Sequence, residues 1–178
     1  MPARPLFGVF ALVTVLVAAH PALAQHRHHG HAPGGQSDGH RRAQACADEF
    51  EAVVRDGRGF GMAFAADQNG YSGPLHVLEL RDRLGLDAAQ EARVRALLEA
   101  MFDEARPKGA RLLDAETRLR RLFADGAPDA SAVRTVVVEI ERARTELRLV
   151  HLLAHLQTRA VLTDAQRRLY HEARWSER

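Results

Sequence analysis

Aromatic side chains make up only 6% of this 178-residue chain, and there is a single cysteine, Cys46. One thiol excludes an internal disulfide, so nothing covalent staples the fold. Cys46 is left as a free thiol, a link between two chains, or a metal ligand. Strand-like alternation of apolar and polar residues is missing throughout, which argues against a sheet-built core. Charge of one sign is also missing: 25 Lys and Arg face 23 Asp and Glu. That balance gives no electrostatic reason to expect a nucleic-acid partner. Signatures of catalysis are absent as well. There is no Gly-x-Ser-x-Gly, no ordered Cys/His arrangement and no paired carboxylates in a plausible pocket, so an enzyme is not expected.

What is present begins with an export signal. Residues 1–24 carry Arg4, an apolar run over 6–19, and Ala22-Leu23-Ala24 as a small-x-small cleavage site before Gln25. The run falls short of the roughly 20 apolar residues that span a bilayer, so no stable membrane insertion is expected after cleavage. Cleavage removes one arginine and no acid, which takes the formal charge from +2 to +1. Residues 25–43 hold His26, His28, His29, His31 and His40 among Gly, Pro and Ser, with little to bury, and are expected to be disordered. Imidazoles at that density capture Zn, Cu or Ni from a flexible chain, or they simply decorate a soluble linker.

From residue 44 to 178 the pattern is helical, enough for one domain with a modest core. Phe50, Val53 and Val54 suit a short helix over 45–55, ended by the Gly57-x-Gly59-x-Gly61 run. Asn69-Gly70-Tyr71-Ser72-Gly73 reads as a turn, with Pro74 opening a short helix that Gly85 closes. A longer helix follows over 88–124, where Pro107 and Gly109 predict a kink or a break. The return helix, about 130–160, has the clearest stripe: Val133, Val136, Ile140, Ala143, Leu147, Val150 and Ala154. The expected fold is all-α, a long antiparallel hairpin with short flanking helices. Because one hairpin cannot close a bundle core, a homodimer is expected too.

Two pentapeptides frame that hairpin. In Leu86-Asp87-Ala88-Ala89-Gln90 and Leu162-Thr163-Asp164-Ala165-Gln166, an N-cap oxygen (Asp87, Thr163) precedes a Gln by three residues, the spacing of a capping box. The apolar staple is absent, since Glu91 and Arg167 fill its usual place. Leu86 and Leu162 should therefore pack on neighbouring helices. With these motifs behind an export signal, residues 71–174 resemble the periplasmic LTxxQ-motif proteins, both the Spy/CpxP-type chaperones and the ZraP/CnrX-type heavy-metal sensors. The second copy fits the motif outright, while the first has Asp87 for Thr. The resemblance implies a periplasmic location and a cradle-shaped all-α dimer.

Four ordered residues are candidates for metal chemistry. His151 and His155 leave the same face of the return helix, and His76 and Glu79 lie one turn apart on the short helix. If those helices cross, the four make a first shell for Zn, Ni, Co or Cu. In so apolar a setting a histidine more often hydrogen-bonds a backbone group or faces solvent. The charged residues Asp103, Glu104, Asp114, Glu116, Arg118, Arg120 and Arg121 read as solvated helix face. The alternating charges over 139–148 read as neighbouring-turn pairs. The resulting expectation is an ATP-independent chaperone or envelope-stress adaptor for unfolded envelope proteins, with no required cofactor. The alternative is a heavy-metal sensor or scavenger that acts on a membrane sensor protein.

Overall fold

The computed structural model describes residues 33–126 and 128–176. The predicted signal 1–24 and the tail histidines His26, His28, His29 and His31 lie outside the described residues. Among those described there are seven helices and no strand: α1 (Pro33–Arg55), α2 (Phe64–Asp67), α3 (Pro74–Glu79), α4 (Arg81–Leu84), α5 (Ala88–Ala124), α6 (Ala130–Val161) and α7 (Asp164–Trp175). The all-α hairpin is thus the observed architecture, with α5 and α6 as its two arms.

Apolar spacing builds the seam between the arms. Met101, Ala105, Leu112, Leu113 and Ala115 of α5 meet Val136, Ile140, Ala143, Leu147, Val150 and Ala154 of α6. Every residue of the predicted α6 stripe is buried except the first, Val133, which is half-buried. Leu112 and Leu147 are wholly buried, each contributing about 2–3 kcal/mol of apolar burial. Ion pairs flank the seam. Arg111 meets Glu146 at 3.2 Å, Arg144 meets Glu116 at 3.0 Å, and Arg118 pairs with Glu139. These join α5 to α6, whereas the sequence pattern suggested pairs within one helix and a merely solvated face. Arg142–Glu146 at 3.3 Å is of the expected kind. Exposed pairs of this sort contribute under about 1 kcal/mol each and act mainly on register.

Of the kink or break expected at Pro107, the break does not occur: helix α5 runs through it. An interior proline costs about 3 kcal/mol, but Ala105 before it and Leu112 after it are held in the same seam, which offsets the lost bond. Gly109, read as a second breaker, is a docking point instead. A Cβ there would lie 2.7 Å from the Val54 carbonyl oxygen, so the missing side chain lets α1 rest on α5. Helix α1 itself starts at Pro33, inside the segment expected to be disordered. Proline suits a first helical turn, and the run from His40 to Ala47 is rich in good helix formers. Asp38–Arg41 and Gln44–Asp48 (2.8 Å) brace one turn to the next. Residues 38–49 are all exposed, and only Phe50 and Val54 reach the core.

A second, smaller core gathers at the open end of the hairpin, opposite the α5–α6 turn. Val77 and Leu78 of α3, Leu84 of α4, Val94 of α5, Leu162 and Tyr170 are buried there, with Leu86 packed against them. Leu86 and Leu162 therefore rest on neighbouring helices, as expected. Both capping boxes form: Asp87 accepts from the Gln90 N–H at 2.7 Å, and Thr163 accepts from the Gln166 N–H at 3.3 Å. The two glutamines also meet, the amide of each donating to the oxygen of the other at 2.9 Å. Gln90 donates further to the Val161 carbonyl at 3.0 Å, closing the end of α6 against the start of α5.

Candidate functional site

Above this small core, the chain from Gly57 to Gly73 crosses the last turns of α6. Gly57 and Gly61 adopt positive φ, of 84° and 75°, which the reversals after α1 require. The crossing backbone rides directly on two buried histidines. A Cβ on Gly59 would come within 3.0 Å of the His151 ring, and one on Gly73 within 2.5 Å of His155 Nε2. Gly73 has ordinary extended backbone, φ −79° and ψ 153°, so it is space that calls for glycine there.

His151 and His155 sit one turn apart, both buried. His155 Nδ1 lies 2.7 Å from the Tyr71 carbonyl oxygen. A carbonyl only accepts, so Nδ1 carries the proton and Nε2 keeps its lone pair. His76 repeats the arrangement, its Nδ1 donating to Glu79 Oε2 at 2.9 Å. His151 Nε2 is buried and bonds no group among the described residues. A buried nitrogen without a partner calls for an explanation. Burial drives the His151 ring down to about 4, with the charge of His155 adding to the effect. Burial lowers His155 too, against the opposing pull of the Tyr71 carbonyl and Asp67. Both rings are neutral at pH 7, the form that ligates metals.

All four predicted residues, His76, Glu79, His151 and His155, border one cavity of about 360 Å³. They are not drawn together around a point: among the described residues, no group of three His, Cys, Asp or Glu side chains stands ready to hold an ion. The donor types nevertheless suit a borderline metal: three imidazoles border the cavity, and His151 Nε2 has no partner among the described residues. Cys46 is exposed on α1 and is not part of the cavity wall.

Sequence reading missed the group that anchors the cavity floor. Asp67 is buried, accepts from the Tyr170 hydroxyl, and takes an Arg174 N–H at 3.2 Å. It thereby ties α2 to α7. Burial and the Asp67 carboxylate both push the Tyr170 hydroxyl far up, so it remains a donor. Nothing in Phe64-Ala65-Ala66-Asp67 announces this, because the partners lie a hundred residues away.

The profile of the heavy-metal resistance family matches residues 59–168, from the crossing loop to the first turn of α7. The chain belongs to that heavy-metal resistance family. It is a family of the LTxxQ, Spy/CpxP and ZraP type, which the paired caps resembled. No curated protein and no solved structure matches this family member significantly. Among its described residues, no helix is long and apolar enough to cross a membrane. A further feature of this heavy-metal resistance chain is a line of leucines on α6. Leu149, Leu153 and Leu156, spaced four and three apart, are about half exposed.

Proposed function

We propose that this protein, exported to the periplasm and freed of its signal near Ala24/Gln25, binds a borderline transition-metal ion (Zn, Ni, Co or Cu) as a sensor or scavenger. The single observation that carries the reading is that His76, His151 and His155, from two separate segments, border one cavity in which a buried imidazole nitrogen has no partner among the described residues. A bound ion would supply a positive centre that several neutral nitrogens share. As the side chains stand apart, uptake has to draw α3 and the end of α6 together. That movement is the change a membrane sensor protein would read. The test is calorimetric titration of mature protein, tail-deleted protein and His151→Ala with each metal. Binding that survives tail deletion and falls in His151→Ala supports the helical site. Affinity no tighter than about 1 mM, near −4 kcal/mol, rejects it.

A second reading, an ATP-independent chaperone for unfolded envelope proteins, rests on the exposed leucines of α6. Apolar side chains on a charged surface allow loose contact with many partly folded chains. The same line would be covered in a cradle-like homodimer. Leu153→Asp separates the readings: it should abolish suppression of client aggregation while leaving metal titration unchanged. No suppression by wild-type protein at several-fold molar excess rejects the chaperone.

A further inference from the structure

We infer that the cavity beside the end of α6 takes a neutral aromatic compound of one or two rings, seated among Phe60, Phe64, Phe102, Met62 and Met101. The inference uses the apolar part of the cavity wall, stands without the metal reading above, and is tested with no metal present.

Aromatic and thioether side chains are scarce in this chain, and they are not spread evenly. Of seven phenylalanines, Phe7 and Phe10 fall within the predicted signal. Of the other five, Phe60, Phe64 and Phe102 border the cavity, and Phe50 meets Phe60 edge-on with ring centroids 5.4 Å apart. Both methionines beyond Met1, Met62 and Met101, border it too. Core filling does not account for this gathering. None of the buried residues of the hairpin seam is aromatic, and Phe60 and Phe64 are 39% and 53% exposed although a cavity lies beside them. Ring edges and thioethers are the surfaces on which an aromatic guest gains most, through edge-to-face stacking and sulfur contacts.

Phe60 holds its place against backbone preference. Gly59-Phe60-Gly61-Met62 is a tight turn closed by the Met62 N–H on the Gly59 carbonyl at 2.7 Å, and both central residues have positive φ, 37° at Phe60 and 75° at Gly61. Glycine, asparagine or aspartate normally fills such positions, because a bulkier side chain collides with its own backbone there. Among the described residues Phe60 is the only one besides glycine with positive φ. Strain of this kind gathers at binding sites. Here it keeps a partly exposed ring on the cavity wall.

Charge decides the class of guest. Each charged group on the wall already has a partner: Arg58 with Asp56 at 3.2 Å, Arg174 with Asp67 at 3.2 Å, and Glu79 with His76 at 2.9 Å. His151 and His155 are neutral. An ionic guest would shed its hydration without a free counter-charge to meet. At about 360 Å³ the space lies near the small end of ligand sites, roughly 300–1,000 Å³, which suits one or two rings.

The test uses mature protein from Gln25 onward, EDTA throughout and 1-naphthol as probe, read by calorimetry and by NMR of methyl-labelled methionine. Met62 and Met101 are the only methionines after signal removal, so two resonances report on the wall. Saturable binding that shifts both methyls with one Kd is expected. The anion 1-naphthoate, the cation trimethyl(1-naphthyl)ammonium and the saturated decahydro-1-naphthol should each bind about tenfold more weakly. Phe64→Ser, at an exposed position, should weaken 1-naphthol about tenfold. Phe60→Asn, whose side chain tolerates the left-handed backbone, should weaken it by a similar factor with Tm unchanged or raised. A Phe60→Asn protein that melts lower and binds 1-naphthol as wild type does overturns the inference, since the ring then serves packing alone. Affinity no tighter than about 1 mM, unshifted methyls, or equal affinity for the charged or saturated analogues overturns it too. So does capture of an unfolded polypeptide, reduced carboxymethylated α-lactalbumin, that is lost in Phe64→Ser while 1-naphthol does not bind: the cavity then anchors client side chains. Protein that takes up zinc without EDTA but never 1-naphthol fails this inference and keeps the metal reading.

Discussion

Phe123 and Tyr170 mark opposite ends of one hairpin, the first 59% exposed and the second fully buried. Around Phe123 the arms stop almost bare, held by the Asp129 cap and the Arg118–Glu139 pair. Around Tyr170, four short helices close over the arms, and Asp67, His151, His155 and Gln166 are all buried. Burying polar groups is costly unless each is paired. Nearly all of that cost is concentrated at the end that holds the cavity, while the turn end does little beyond setting register. The histidines are therefore a local departure from an otherwise simple rod.

The comparison is broken or sharpened most strongly by truncating the two aromatics. Tyr170→Ala should cost about 4 kcal/mol in urea unfolding, and Phe123→Ala under about 0.5 kcal/mol; similar values would remove the asymmetry. Acid comes next. His151 titrates near 4 when folded and near 6.5 when unfolded, so the unfolded chain takes up the proton first. Its contribution is complete above about pH 6.5 and is lost as pH falls towards 4, about 3 kcal/mol in all. His155 adds in the same direction. Thermal unfolding from pH 7 to 4 should show the loss, and His151→Gln should flatten it. Gln166→Ala should cost about 2 kcal/mol, since it uncaps α7 and strands the Gln90 amide. Smallest is Arg118→Ala at the turn end, about 0.5 kcal/mol or less, and less still in high salt.

What could be read from sequence was whatever obeys local rules. The caps at Asp87 and Thr163, the α6 stripe and the turn at 69–73 each depend on neighbours a few residues away. The four cavity residues were legible too, because helical spacing puts His151 beside His155 and His76 beside Glu79. The cross-chain partnerships had no local sign. Asp67 with Tyr170, Gln90 with Gln166, and Gly73 against His155 each join residues about 80 or more apart. The break that Pro107 suggested does not form for the converse reason: a local rule was overridden by the seam on both sides. The early start of α1 reflects good helix formers from His40 onward, which the tail's composition had masked.

The reciprocal bond between Gln90 and Gln166 has a kinetic meaning. Each glutamine guards its own helix start and also holds the other's amide, so neither first turn can fray by itself. The two amide protons of residues 90 and 166, 76 positions apart in the chain, should exchange with solvent at one shared rate. Cutting either side chain should speed both.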